Sequence, residues 1–426
     1  MYLSLYKTAT RAIYLFIFPL FFIFSSLTGS QKESLAQRQG RYPFKRPQGT
    51  PRIWLHAASV GEVQVIRAIL PHLQALCPQA TLLVSTLTET GHKLARETLE
   101  ATCFFAPLDA PGPVRRALDH IRPHLYVAVE TELWPNLLTA ARAGGARLLL
   151  INGRLSARST GRYQRLKGVT KPLLQGFTTI SCISAADRDR YQSLSDRQDI
   201  EVTGNAKYDL NPPEPIAELA RRYRQRLAMT KGQRLLILGS THTGEEEQFL
   251  AQLPRLQAEI PGLVTLIAPR HLQRVAEVAE LGRQHNQPCV LYSKVKVGEG
   301  SPSVIILDSM GELSSLYAAA TYIFCGGSLV AKGGHNIFEG AIMAKPVFIG
   351  PHMADFRDAV QLLGPGGGLI QVNNCQECVT EIIHLACDQS RYDNISAANR
   401  TIALAQQGAA RRQAEIIAAA VRTRKD

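Results

Sequence analysis

The sequence predicts an α/β protein built from two doubly wound parallel-sheet domains. Three observations lead there. From residue 51 onward, short apolar runs alternate with amphipathic helical patterns, as parallel strands joined by crossover helices require. The pattern breaks at Asn211-Pro212-Pro213-Glu214-Pro215 and then begins again, so the chain divides into two similar halves. Its 426 residues are 45% hydrophobic and 19% charged, which suits two or three domains and excludes disordered, collagenous or multi-span chains. The expected segments are 1–31, an N-terminal membrane anchor; 32–50, a basic juxtamembrane stretch; and two domains, 51–210 and 211–426.

Taking the elements in order, Ala12–Gln31 holds no charge, and Ala12–Phe24 is almost wholly aromatic and aliphatic. A bilayer core needs about 20 apolar residues per helix. Two readings compete, a cleaved signal peptide and a retained anchor or monotopic insertion. The flank carries Lys32, Arg38, Arg41, Lys45, Arg46 and Arg52 against Glu33. Such a flank resists translocation and favours a cytoplasmic leaflet, so the anchor is preferred.

Strands are expected at 53–58, 81–85, 103–106, 125–129, 147–151, 178–183 and 200–203. In the second half they fall at 235–238, 264–268, 289–292, 304–307, 322–325, 347–349 and 369–372. The clearest helix carries Val63, Ile66, Ile69, Leu70, Leu73 and Leu76 on one face. An Ala-rich helical stretch over about 395–421 ends the chain. Ligands of such folds gather at the carboxyl ends of the strands, here in a cleft expected between the domains. No GxGxxG follows any of these strands, which disfavours a plain dinucleotide site.

The net charge of +13 is lopsided: residues 1–210 hold 26 basic and 15 acidic residues, the remainder 22 and 20. The first half should therefore meet an anion or an anionic surface. Eight cysteines, mostly in apolar runs, read as buried thiols, and the lone Cys375-Gln-Glu-Cys378 lacks the second pair that a structural zinc needs.

Polar constellations stand at the strand ends. Ser59-x-x-Glu62 fits a helix capping box, while a Glu at the mouth of a cleft also suits a general base. Glu130-Thr131-Glu132-Leu133-Trp134-Pro135 places carboxylates at a buried strand end, costly unless they are hydrogen-bonded or engage a ligand. From Leu133 to Ala186 there is no acid but eight basic residues. Arg154, Arg158, Arg162 and Arg165 are expected on one helical face, either solvated or holding a phosphate-bearing anion. Nucleic acid is disfavoured, because no aromatics are interleaved. Lys207 lies just before the linker, where it could reach across the cleft. Gly239-Ser240-Thr241-His242 and Pro269-Arg270-His271 suit a phosphate or carboxylate, and Met310-Gly311-Glu312 opens another helix. The Gly-rich segment Gly326–Glu339 offers backbone N–H groups for an anion and Glu339 for ribose hydroxyls.

Taken together, His56-Ala-Ala-Ser-Val-Gly-Glu62, Glu130-Thr-Glu-Leu-Trp-Pro-Asn136, Asn152-Gly-Arg-Leu-Ser-Ala-Arg158, Asp308-Ser-Met-Gly-Glu-Leu313 and Gly326-Gly-Ser-Leu with Gly333-Gly-His-Asn336 resemble the 3-deoxy-D-manno-octulosonic acid (Kdo) transferases. The resemblance runs from the anchor to about residue 356. It implies two Rossmann-like domains of GT-B type, the first for the acceptor and the second for a CMP-sugar donor. It also implies metal-independent, inverting transfer of Kdo from CMP-Kdo to a lipid A precursor at the cytoplasmic face of a bacterial inner membrane, with no cofactor. By motif, Glu62 matches the general base, and Glu130 and Lys207 match positions assisting the transition state. Pro269, Arg270, Met310, Gly311, Glu312, Asn336, Ile337, Phe338 and Glu339 match the CMP contacts. Arg154, Arg158, Arg162 and Arg165 are the candidates for acceptor phosphates. Where the family commonly has Glu-Pro, this chain has Glu339-Gly340. Rival readings are another GT-B enzyme using a UDP-sugar, transferase or epimerase, and a secreted two-lobed solute-binding protein.

Overall fold

A computed structural model describes residues 2–16, 32–210 and 212–422. The chain forms two compact units: residues up to Asp209 together with those from Gln406 on, and Leu210–Ala405.

The first unit is built on a seven-stranded sheet. Its strands are β1 (Arg52–Ala57), β2 (Thr81–Thr86), β3 (Thr102–Phe105), β4 (Leu125–Val129), β5 (Arg147–Gly153), β6 (Thr179–Cys182) and β7 (Ile200–Val202). All pairings are parallel, in the order β3-β2-β1-β4-β5-β6-β7. Both faces are covered, so the central strands are largely apolar. Along β1 and β4, Ile53, Leu55, Leu125, Val127 and Val129 join one core cluster, and the alternating Trp54, Tyr126 and Ala128 join the other.

The second unit repeats the plan with β8 (Leu235–Thr241), β9 (Val264–Pro269), β10 (Cys289–Leu291), β11 (Val304–Ile306), β12 (Tyr322–Cys325), β13 (Val347–Ile349) and β14 (Leu369–Gln371). Its order is β10-β11-β9-β8-β12-β13-β14, again parallel. In each sheet the strand order reverses once, between β1 and β4 and between β8 and β12. Doubly wound sheets bind ligands at that reversal.

Two sequence expectations are corrected, the last helix and the basic face, while the expected anchor is described only in part. The terminal stretch is two helices, Gln389–Gln406 and Ala409–Arg422, separated at Gly408 with φ +74°. The second of them belongs to the first unit, so that the second domain does not run to residue 426. Ala409, Ala410, Ala414 and Ile417 pack with Val63, Ile66, Ile69 and Leu70 of the helix Val60–Leu76. Small side chains allow that close approach. Asp209 starts the helix, its carboxylate accepting Gly408 N–H and Ala410 N–H at 2.9 Å each.

The N-terminus is described only in part. A helix spans Tyr2–Phe16, while the rest of the expected anchor lies outside the described residues. No helix among the described residues is long and apolar enough to cross a membrane. The helix docks on the first unit: Tyr6 Oη donates to Asp109 Oδ2 (3.0 Å), Asn136 Nδ2 to Thr10 Oγ1 (2.9 Å) and Arg116 to Tyr14 Oη (3.0 Å). Its Leu5, Ile13 and Phe16 remain exposed.

The second correction is the basic face. The helix runs Ala157–Arg165, started by Ser156, whose Oγ accepts Ser159 N–H at 3.1 Å. Arg154 therefore precedes it, in the loop after β5, and only Arg158, Arg162 and Arg165 share the helix.

Candidate active site

In the first unit the chemistry gathers at the β1/β4 reversal. β1 ends at Ala57, and Ser59 starts the helix Val60–Leu76. Ser59 N–H donates to Glu62 Oε2 at 2.6 Å and Ser59 Oγ bonds the same oxygen. The cap and the proposed base are one residue: Glu62 is held by the helix start and stays partly exposed.

β4 ends in the acid loop. Glu130 takes a left-handed backbone, φ 59°, and donates its N–H to Ile151 O at 2.9 Å. Non-glycine residues rarely adopt that conformation, and such strain clusters at functional sites. Glu132 accepts Trp134 Nε1–H at 2.8 Å and stands 4.0 Å from His56 Nε2. Burial lifts the Glu132 carboxyl to about 7, with the Glu62 charge adding to the rise against the Trp134 bond. Fully buried His56 is pushed down to about 4. Thr131 Oγ1 bonds Arg154 O and lies 2.8 Å from Tyr191 Oη, tying the loop to the segment that leads into the basic helix. Arg158, Arg162 and Arg165 are exposed and make no ion pair with a described residue.

Lys207 sits in a short turn, Ala206–Tyr208, with Nζ 5.5 Å from the Tyr208 ring centroid. The turn is fixed by buried amides. Asn152 (φ 52°) accepts Ala206 N–H at 2.9 Å and Gln413 Nε2–H at 3.1 Å, and its Nδ2 donates to Asn205 Oδ1 at 3.2 Å. Ile151 holds Glu130 and its neighbour Asn152 holds the Lys207 turn, so β5 positions both. The role of Gln413 on the terminal helix was not visible in its own segment, which reads as a plain Ala-rich helix.

The second unit assembles its candidates at the ends of β8, β9, β11 and β12. Ser240 is left-handed (φ 55°) beside Gly326, where a Cβ would meet Ser240 O at 2.3 Å. Glycine is required there. Buried Glu245, which sequence reading passed over, knits this loop: its carboxylate accepts N–H from His242 (3.0 Å), Gly327 (2.8 Å), Ser328 (3.1 Å) and Leu329 (3.0 Å). With those donors already used, the Gly326–Leu329 amides serve the fold. His335 Nε2 lies 3.0 Å from His242 Nε2 with the rings stacked, and His271 meets His242 edge-on. Burial first, then the charges of Arg270, His242 and His271, hold His335 at about 4.

Arg270 is exposed after Pro269 at the end of β9. Its charge also acts on Glu339, whose carboxyl is raised by burial and drawn back by a hydrogen bond from Asn336 and by Arg270. Asn336 Oδ1 accepts Phe338 N–H at 3.1 Å, while Ile337 and Phe338 are buried and support the turn. At Gly340 a Cβ would meet Ile323 and Val347 side chains at 2.9 Å, a physical reason for glycine after Glu339. Met310 is 70% exposed at the end of β11, Gly311 has φ +84°, and Glu312 accepts from Tyr292 Oη at 3.3 Å and from Ser309. These residues form a rim of cationic, amide and carboxylate groups, suited to a nucleotide.

Two doubly wound parallel domains with polar groups at both reversals define a fold of GT-B type. The fold is shared with a MurG of Acinetobacter baumannii (TM-score 0.55, 14% identity, 86% of this chain and 98% of that one). It is shared equally with a UDP-GlcNAc 2-epimerase of Neisseria meningitidis (TM-score 0.53, 12% identity, 87% and 100%). A family profile described as 3-deoxy-D-manno-octulosonic-acid transferase (kdotransferase) matches residues 33–210. A 3-deoxy-D-manno-octulosonic acid transferase of Haemophilus influenzae is 32% identical over 398 residues, 91% of each chain. The chain belongs to the Kdo transferase family.

Proposed function

We propose that the protein transfers Kdo from CMP-Kdo to a lipid A precursor at the cytoplasmic face of the inner membrane, inverting the anomeric centre without a metal. The observation that carries this is the carboxylate group at the β1/β4 reversal, where Glu62 is fixed by its cap and stays open to solvent. In the reaction the acceptor hydroxyl gives its proton to Glu62 as its oxygen bonds the anomeric carbon of Kdo. The bond from that carbon to the CMP phosphate breaks, and CMP leaves with the electron pair. Attack on the face opposite the leaving group inverts the centre, through an oxocarbenium-like transition state.

CMP carries its own charge well, and Arg270 supplies positive potential where that charge develops. Glu130 and Lys207 flank the transition state from the first unit, and Met310–Glu312 and Asn336–Glu339 hold the nucleotide. Arg158, Arg162 and Arg165, unpaired among the described residues, supply cations for the phosphates of the acceptor, with Arg154 beside the acid loop. The exposed Leu5, Ile13 and Phe16 give the N-terminal helix an apolar face suited to a membrane surface.

The test is product mass after incubating the enzyme with lipid A precursor and CMP-Kdo, and separately with UDP-sugars. Kdo addition from CMP-Kdo alone supports the reading; transfer from a UDP-sugar, or no addition, overturns it.

A further inference from the structure

Lys207 rides on a segment just beyond the edge of its sheet. β7 is the edge strand, only Ile200–Val202 long, and the chain leaves it at Thr203. From Thr203 to Asp209 the backbone is gripped by the far end of the chain, which belongs to the same unit. Asn205 N–H donates to Gln406 Oε1 at 2.8 Å, and Arg412 donates to Thr203 O from Nε at 3.1 Å and Nη2 at 2.9 Å. The Asp209 carboxylate accepts Gly408 N–H and Ala410 N–H. Gln413 Nε2 lies 3.1 Å from Asn152 Oδ1, 3.2 Å from Thr203 Oγ1 and 3.0 Å from Gly204 O.

Gln413 is completely buried and shares its helix face with Ala410, Ala414 and Ile417. Among such neighbours a buried amide is unfavourable unless its polar atoms are satisfied, and Gln413 Oε1 has no partner among the described residues. A leucine would fill the space without that cost. What glutamine adds is a donor, and its acceptors lead to Lys207. Asn152 Oδ1 also accepts Ala206 N–H at 2.9 Å, and Asn152 Nδ2 donates to Asn205 Oδ1 at 3.2 Å. Asn205 Oδ1 in turn accepts Lys207 N–H at 3.0 Å. The Lys207 side chain lies over the buried Tyr208 ring, so the same turn directs its ammonium.

We propose that Gln413 and Gln406 are positioning residues for transfer, holding the Ala206–Tyr208 turn so that the Lys207 ammonium stays where it assists the reaction. The inference rests on reading Lys207 as a group that assists the transition state. Both glutamines are buried, so neither touches substrate. Gln413 acts through Asn152 and Gln406 through Asn205, each on the backbone of the turn. A shift of about 1 Å in a group at a reacting centre is enough to lose much of its effect. The end of the chain thereby takes part in the chemistry of a residue far from it in sequence.

The experiment measures kcat, donor KM and thermal unfolding with CMP-Kdo and lipid A precursor. It compares full-length wild type, Gln413→Leu, Gln406→Met, Ile417→Ala and Lys207→Ala. Gln413→Leu and Gln406→Met should each lower kcat by on the order of 10- to 100-fold and leave the donor KM unchanged. Ile417→Ala loosens the same helix without touching the amides. It should unfold at lower temperature yet keep wild-type kcat below that transition. In a Lys207→Ala background neither glutamine change should slow transfer further, because the group they position is gone. Wild-type kcat in either folded glutamine variant overturns the inference. So does an undiminished loss in the Lys207→Ala background, or an equal kcat loss in Ile417→Ala. If one glutamine variant does not fold, the other decides by the same outcomes. Failure of the underlying reading looks different: Lys207→Ala itself would then turn over normally.

Discussion

His335, stacked on His242 in the second unit, shows how one residue links burial to pH. Its folded pKa of about 4 lies below the value near 6.5 of an unperturbed imidazole. Between these values the unfolded chain binds a proton that the folded one refuses. The stability contributed by this group is full above about pH 6.5 and is lost as pH falls toward 4. His56 acts in the same direction in the first unit. Glu132 has the opposite sign: its raised pKa gives a contribution that is full below about 4.5 and lost as pH climbs through 7. His335→Gln should therefore lose less thermal stability than wild type between pH 6.5 and 4.5, measured by calorimetry; parallel curves would show that His335 is not held neutral by its surroundings. Tyr6→Phe should cost about 1 kcal/mol in urea unfolding, the usual scale for one hydrogen bond, because Asp109 keeps Asn136 N–H and Leu137 N–H as donors.

Among the elements, the basic helix makes the sharpest separation between roles. Arg158→Ala, Arg162→Ala and Arg165→Ala, made singly, should raise the acceptor KM for at least one position by roughly 10- to 150-fold, the scale of a charge-assisted bond. Donor KM should stay fixed, because the nucleotide candidates lie in the other unit. A defect seen only on anionic vesicles and absent in detergent would assign the helix to the membrane surface, and wild-type behaviour in both would leave it a solvated face. The central strands were legible because they are buried on both sides, so that the run Leu125–Val129 is buried at every position. Helix starts were less so. The spacing of the four arginines concealed Ser156, whose hydroxyl begins the helix after Arg154. In the N-terminal helix, Tyr6, Thr10 and Tyr14 lie at i, i+4 and i+8, a polar stripe marking the docked face, but the surrounding apolar run hid it. The site residues stood out wherever polar groups followed apolar strands. Glu245 did not, since its partners are backbone amides of the distant Gly327–Leu329 segment, and no local pattern records them.

In the molecule as a whole, the chain closes on itself: the terminal helix returns to the first unit and completes the buried amide group behind Lys207. Ending the chain at Ala405 would expose Val63, Ile66 and Ile69 and leave Asn152 and Asn205 without Gln413 and Gln406. Such a protein should lose cooperative unfolding of its first unit while still binding CMP through the second. The milder Ile417→Ala should cost about 2–5 kcal/mol, as large-to-small core changes do. The division of labour between the units, base in one and nucleotide in the other, is the central claim. It is tested most directly by single-turnover transfer from CMP-Kdo in Glu62→Gln, with CMP affinity measured on the same sample. Glutamine preserves the capping box, so the account predicts an intact fold, unchanged CMP binding and transfer slowed by at least about 10²-fold. Transfer within a few-fold of wild type would reduce Glu62 to a helix cap and contradict the account.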